Sequence, residues 1–194
     1  MANETLLQFL ESSGFISPSQ AVEIAAHFRP KAIGKHDFLL REGWVSDEYF
    51  FLSTGLMRAF SYDKDGNDVT TAFYTAEQIV FEYSSFFRRT PSAENIQALT
   101  DCEGWFITHQ QMNALFHSRN EFREFVRSVL VKIIASLKSR MLSMIMDSAT
   151  ERYEHLLREA PQIMQHAPLK NIASYLGITN TSLSRIRARP KGNS

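Results

Sequence analysis

The chain of 194 residues has a single cysteine, Cys102. That excludes an intrachain disulfide and a cysteine-ligated iron–sulfur cluster, and it leaves Cys102 as a small core residue. Such sparing use fits a reducing compartment, so a cytoplasmic location is expected. No apolar run approaches the roughly 18 residues of a membrane span. The first ten residues include Glu4 and no basic residue, unlike a secretory signal. His36, His109 and His117 are scattered without ligand spacing, so neither a metal nor a haem site is expected. The predicted strands hold no paired histidines with a downstream glutamate, which argues against an enzyme on a cupin-like barrel. Net charge is also missing, because 21 basic residues balance 21 acidic ones.

That balance averages unlike parts. Residues 1–118 carry 8 basic and 15 acidic residues, residues 119–147 carry 6 and 3, and residues 148–194 carry 7 and 3. An acidic front repels phosphate and a basic rear attracts it. From Pro168 onward the sequence shows Lys170, Arg185, Arg187, Arg189 and Lys191, and no acidic residue.

Within that basic rear, Leu169 to Arg187 reads LKNIASYLGITNTSLSRIR. Ile172, Leu176, Ile178, Leu183 and Ile186 supply one apolar seam, and Ala173 is small where a second helix must cross. Gly177 falls where the chain must turn, and glycine takes positive φ at low cost. Thr179 is a suitable N-cap for the helix that follows. Helix, glycine turn and helix predict a helix-turn-helix, with double-stranded DNA as its partner.

The front begins with a helix over 4–12, then a second from Ser17, where Pro18 and Gln20 give a helix start and a capping box. From Lys31 to Thr108 the chain reads as short strands broken by turns, among them Asp65-Gly66-Asn67. This spacing, rich in aromatics, predicts a closed or sandwiched antiparallel barrel. A short helix over 110–116 precedes a long one over 121–146, which holds no proline or glycine. In it Phe122, Val126, Val129, Ile133, Leu137, Arg140 and Met144 follow three- and four-residue steps, close to a heptad seam. A helix of about 26 residues spans roughly 39 Å, more than a small barrel covers, so its surplus apolar face is expected to meet a second copy. Residues 149–159 form the next helix, and Pro161 and Pro168 bracket a short connection.

This order resembles the CRP/FNR superfamily of bacterial transcription regulators. The resemblance rests on Ile172-Ala173-x-x-Leu176-Gly177-Ile178-Thr179-x-x-Ser182-Leu183-Ser184-Arg185-Ile186-Arg187. Tyr49-Phe50-Phe51-Leu52, Gly55, Arg58, Gly66 and Glu82 support it in the barrel. The short terminus after Arg189, without an extended wing, is similar to regulators of Bacteroidetes-like bacteria. The resemblance implies an α+β chain of two domains. An N-terminal antiparallel β-roll or jelly-roll barrel with flanking helices precedes a long dimerisation helix and a C-terminal all-α helix-turn-helix domain. The parts fall at 1–118 (a cyclic-nucleotide-binding-like sensor), 119–147 (the dimer helix) and 148–194 (the DNA-binding domain). DNA, a second copy of the chain and RNA polymerase are the implied partners, with no membrane. The dimer helix would pair through Phe122, Val126, Val129, Ile133, Leu137 and Met144.

The cassette that binds nucleotide in this family departs from its pattern here. The family has Gly-Glu-Leu and then Arg-Ser or Arg-Thr. This chain has Phe81-Glu82-Tyr83-Ser84-Ser85, with Ser92 and Ala93 at the later pair. Glu82 keeps the place that would bond a ribose hydroxyl, while Phe81 crowds the place of the glycine. A lost charge-assisted phosphate bond weakens binding by roughly 1.5–3 kcal/mol, so useful affinity for cyclic AMP is not expected. Phe81, Glu82, Tyr83, Ser84, Ser85, Ser92 and Ala93 are the expected effector pocket, which either takes a small molecule other than a cyclic nucleotide or is filled by Phe81, Phe86 and Phe87. No certain cofactor is implied.

Asn180, Thr181, Ser184 and Arg185 are expected to read bases, with Arg185 suited to guanine. Lys170, Ser182, Arg187 and Arg189 are expected to hold phosphates. The alternative is a small-molecule or cyclic-nucleotide binding module whose DNA domain is vestigial.

Overall fold

The computed structural model describes residues 2–188, with side chains from Glu4 onward. Two helices open the chain, α1 (Ala2–Glu11) and α2 (Pro18–Ala25). The start of α2 is fixed by Gln20, whose Oε1 accepts from the Ser17 amide at 2.9 Å. Strands β1 (Arg29–Ile33), β2 (Phe38–Leu40), β3 (Glu48–Thr54), β4 (Met57–Tyr62), β5 (Asp68–Tyr74) and β6 (Gln78–Val80) follow. After α3 (Tyr83–Arg88) come β7 (Asn95–Ala98), β8 (Cys102–Thr108), α4 (His109–Ser118) and the long α5 (Asn120–Met146). The rear holds α6 (Ala149–Glu159), α7 (Pro161–His166), α8 (Leu169–Tyr175) and α9 (Asn180–Ala188).

The strands form two antiparallel four-stranded sheets, ordered β1-β8-β3-β6 and β2-β7-β4-β5. Alternation along β3 explains why both of its faces are buried. Phe50 and Leu52 point between the sheets, with Met57, Val80, Ile96 and Cys102. Tyr49 and Phe51 point the other way, under a cover of helices that includes Leu6, Ile24, Phe122 and Phe125. Gly104 lets β8 pass close to β3, since a Cβ there would lie 2.1 Å from the Phe51 carbonyl oxygen. Arg58 is buried and bidentate to Asp68, with both contacts at 2.6 Å, which ties β4 to β5 beside their turn.

A third core joins the rear helices to the barrel. Leu56 and Leu99 pack with Leu156, Ile163, Ile172, Leu176 and Leu183. The α+β architecture expected from the sequence is therefore present, with four differences in detail. Strand β1 was not foreseen, because Pro30 lies within it. It is an edge strand, where a missing amide is tolerated. Helix α3 was not foreseen either. The connection after Pro161 is a helix, α7, with proline at its first position, where the amide has no helical partner to lose. Finally, Phe122 and Val126 are buried in the chain's own core, which removes them from the seam expected to face a second copy.

Candidate effector cavity and DNA interface

A cavity of about 370 Å³ lies between α1, β5, the start of β6 and α5, and reaches Tyr175 at the end of α8. Aromatic rings form much of its wall: Phe9, Phe73, Tyr74, Tyr83, Phe125 and Tyr175. From α5 come Ser128, Lys132, Ser136 and Arg140. Burial raises the Tyr74 hydroxyl well above its ordinary pKa. Burial also raises Tyr83, which is hydrogen-bonded to Tyr74. The same cause holds the nearby Glu94 carboxyl above the usual carboxylate range, against the smaller opposing pulls of Thr71 and Arg140.

Arg140 joins three elements. Its guanidinium donates to the Thr71 carbonyl on β5, and to the Tyr175 carbonyl at 3.1 Å. It lies over the Tyr175 ring, 3.7 Å from the centroid. Arg152 donates to the next carbonyl, Leu176, at 3.1 and 3.0 Å. Two cations thus meet the negative end of α8. The barrel also holds α8 directly, because the Thr70 amide donates to Ser174 Oγ at 3.1 Å and the Phe73 and Tyr175 rings are 5.0 Å apart. Arg140 and Tyr175 also border a second cleft of about 830 Å³ against α6.

Of the residues expected at the effector pocket, Tyr83 lines this cavity. Phe81 is buried against Tyr49, Tyr83, Phe86 and Phe87, with ring centroids 4.9–5.8 Å apart. The Glu82 carboxylate caps α3, accepting from the Ser84 amide at 3.0 Å and the Ser85 amide at 2.6 Å. Ser85 is buried, accepting from the Ser46 amide and donating to the Thr90 carbonyl. Ser92 closes on Glu94, donating to its carbonyl and accepting from its amide. Ser84 and Ala93 are exposed. Arg89 turns to Asp47 at 2.5 Å. The α5 residues Lys132 and Ser136 were missed. Their signal was the four-residue spacing of Ser128, Lys132, Ser136 and Arg140 beside the apolar seam.

At the helix pair, Gly177 has φ +68° and its amide donates to Ser174. A Cβ there would meet the Met144 methyl at 2.7 Å, so the turn sits directly on the end of α5. Thr179 Oγ1 accepts from the Ser182 amide at 3.1 Å, as an N-cap should. Ile172, Ala173, Leu176 and Leu183 are buried between the two helices and the barrel. Asn180, Thr181, Ser184 and Arg185 are exposed, as are Lys170 and Arg187. Ser182 is half-buried, and its hydroxyl is engaged by Thr179 at 3.0 Å. Arg189 lies outside the described residues.

A β-roll with a cavity against a long helix, followed by a helix pair with one free face, defines the class of chain. Residues 30–119 match the family model of the cyclic nucleotide-binding domain. No curated protein sequence matches the chain. Among solved structures it is similar to FixK2 from Bradyrhizobium japonicum, at 15% identity and TM-score 0.71, over 86% of this chain and 89% of that one. It is similar to CLP of Xanthomonas campestris, described as a c-di-GMP responsive global regulator, at 15% identity and TM-score 0.67, over 85% and 87%. A third is a transcriptional regulator assigned to the CRP/FNR family from Eubacterium rectale, at 13% identity and TM-score 0.67, over 89% and 82%. The chain has the fold of the CRP/FNR regulators, with a barrel of the cyclic nucleotide-binding type.

Proposed function

We propose that the chain is a DNA-binding regulator of transcription, dimeric through α5, whose barrel cavity takes a small-molecule effector other than cyclic AMP. One observation carries the reading: α9 presents Asn180, Thr181, Ser184 and Arg185 on an exposed face, after a capped glycine turn. The lack of carboxylates from Pro168 onward supports it, as do the regulators named among the similar structures. The parts are a sensor over 1–118, a dimer helix over 119–147 and a DNA-binding domain over 148–194, with RNA polymerase as a further partner. This is regulation rather than catalysis. Among the described residues no helix is long and apolar enough to cross a membrane. Cyclic AMP is set aside because Phe81 fills the place of the cassette glycine and Glu82 is spent on α3. An effector acts here only by favouring one arrangement of the paired DNA domains over another.

The test is a gel shift with the DNA upstream of the chain's own gene. Arg185→Ala should weaken specific binding by about 1–3 kcal/mol per half-site and spare random DNA. Lys170→Ala should weaken both alike and lower the salt slope by about one. Identical behaviour of the two variants on both DNAs would refute this division of roles. No shift on any DNA would leave the binding module with a vestigial DNA domain.

A further inference from the structure

The cavity wall on α5 carries a polar stripe. Ser128, Lys132, Ser136 and Arg140 recur every four residues and all reach the cavity. Residues at that spacing neighbour one another on a helix. A cation lining an aromatic space attracts an anion, and Arg140 spends its hydrogen bonds on neutral groups, the Thr71 and Tyr175 carbonyls, with Glu94 as its ionisable neighbour. A guanidinium has five N–H donors in a fixed fork. Bonds to an ionised acceptor are roughly twice as strong as bonds to a neutral one. An incoming carboxylate therefore has both unused donors and an energetic advantage at Arg140.

The rest of the cavity sets the remainder of the ligand. Its volume of about 370 Å³ suits a small molecule. Phe9, Tyr74 and Phe125 offer an apolar berth. Glu77 also lines the cavity, and Glu94 lies close enough to feel Arg140. Those two carboxylates oppose negative charge on the ligand, and they oppose a dianion such as a phosphate monoester more than a monocarboxylate. We propose that the cavity takes an amphipathic monocarboxylate, an acyl or aromatic acid, with its body along Phe9, Tyr74 and Phe125 and its carboxylate on Arg140. The proposal deepens the proposed function and rests on reading the barrel as a sensor. It also supplies the coupling. A carboxylate on Arg140 competes with the Thr71 and Tyr175 carbonyls, so the side chain that binds the effector is the one that ties α8 to the barrel.

Calorimetry on the full chain tests this with decanoate, its neutral analogue decanol, and cyclic AMP as probes. Decanoate should bind at least tenfold more tightly than decanol, and Arg140→Gln should bring it down to the decanol level. Because Arg140→Gln also unties α8, a second variant is needed. Ser136→Trp, at an exposed position that borders the cavity, should abolish decanoate binding while the thermal melt stays cooperative. Equal binding of decanoate and decanol, no binding of decanoate, full retention in both variants, or displacement of decanoate by cyclic AMP each overturns the assignment. Gel shifts run in parallel separate the two readings. DNA binding without decanoate binding sinks the ligand alone, and decanoate binding without DNA binding sinks the regulator alone.

Discussion

Phe81 shows how one side chain changes what a barrel can hold. In place of a glycine whose amides would close on phosphate, a ring is buried among four other aromatics. Removing a buried phenylalanine leaves a cavity and costs about 3–5 kcal/mol. Phe81→Ala should lower the urea midpoint accordingly, and calorimetry should still show no cyclic AMP binding, because Arg89 faces Asp47 instead of the cassette. Micromolar binding by this variant would mean that the ring alone excluded the nucleotide. Glu94 gives a prediction of a different kind. Burial raises its pKa above the unfolded value, so the folded state holds the proton to higher pH than the unfolded state does. The stability this confers is full below the unfolded pKa and is lost as pH rises through the folded one. Glu94→Gln should therefore raise the melting temperature at pH 7, and the gain should disappear as the pH falls below the ordinary carboxylate range. A gain that persisted at acidic pH would assign the effect to packing and not to charge.

At the scale of elements, local chemistry was legible and long-range packing was not. The Ser17–Gln20 box, the Gly177 turn and the Thr179 cap are short-range devices, and each stands where the sequence implies it. Helix α3 was hidden because six residues show no period and its cap is Glu82, whose carboxylate the family resemblance assigned to a ligand. Pro161 and Pro168 suggest a bracketed connection, yet proline also suits the first position of a helix, and α7 starts there. The apolar repeat of α5 correctly marked a helix, but period alone does not say which core a stripe enters. Its first turns enter the chain's own core, and only the later ones stay open. The candidate cavity was poorly legible in its residues, since Tyr83 is the one member of the expected pocket that lines it. Its lining from α1 and α8 depends on how distant segments dock, and nothing local to Ser12 or Tyr175 announces that.

For the whole molecule, the open part of α5 leaves large aliphatic side chains in water. Val131, Ile134 and Ile145 are 65%, 64% and 70% exposed, and Leu137, Met141 and Leu142 are close to half exposed. Val131, Ile134, Met141 and Ile145 follow steps of three, seven and four residues, which are seam positions of a two-helix coil. Burying each large aliphatic side chain contributes about 1.5–3 kcal/mol, so a matching helix across a two-fold axis has ample driving force. The same axis would set two copies of α9 side by side, and a helix-turn-helix dimer reads half-sites one or more helical turns apart. Ile134→Glu places one carboxylate from each copy at that seam without touching the barrel, since Ile134 is exposed within the chain. Sedimentation should then show a monomer whose barrel melts as before, and affinity for a paired site should fall to that of a single half-site. An unchanged dimer would move the interface off α5, and with it the spacing on which the proposed reading of paired sites by α9 depends.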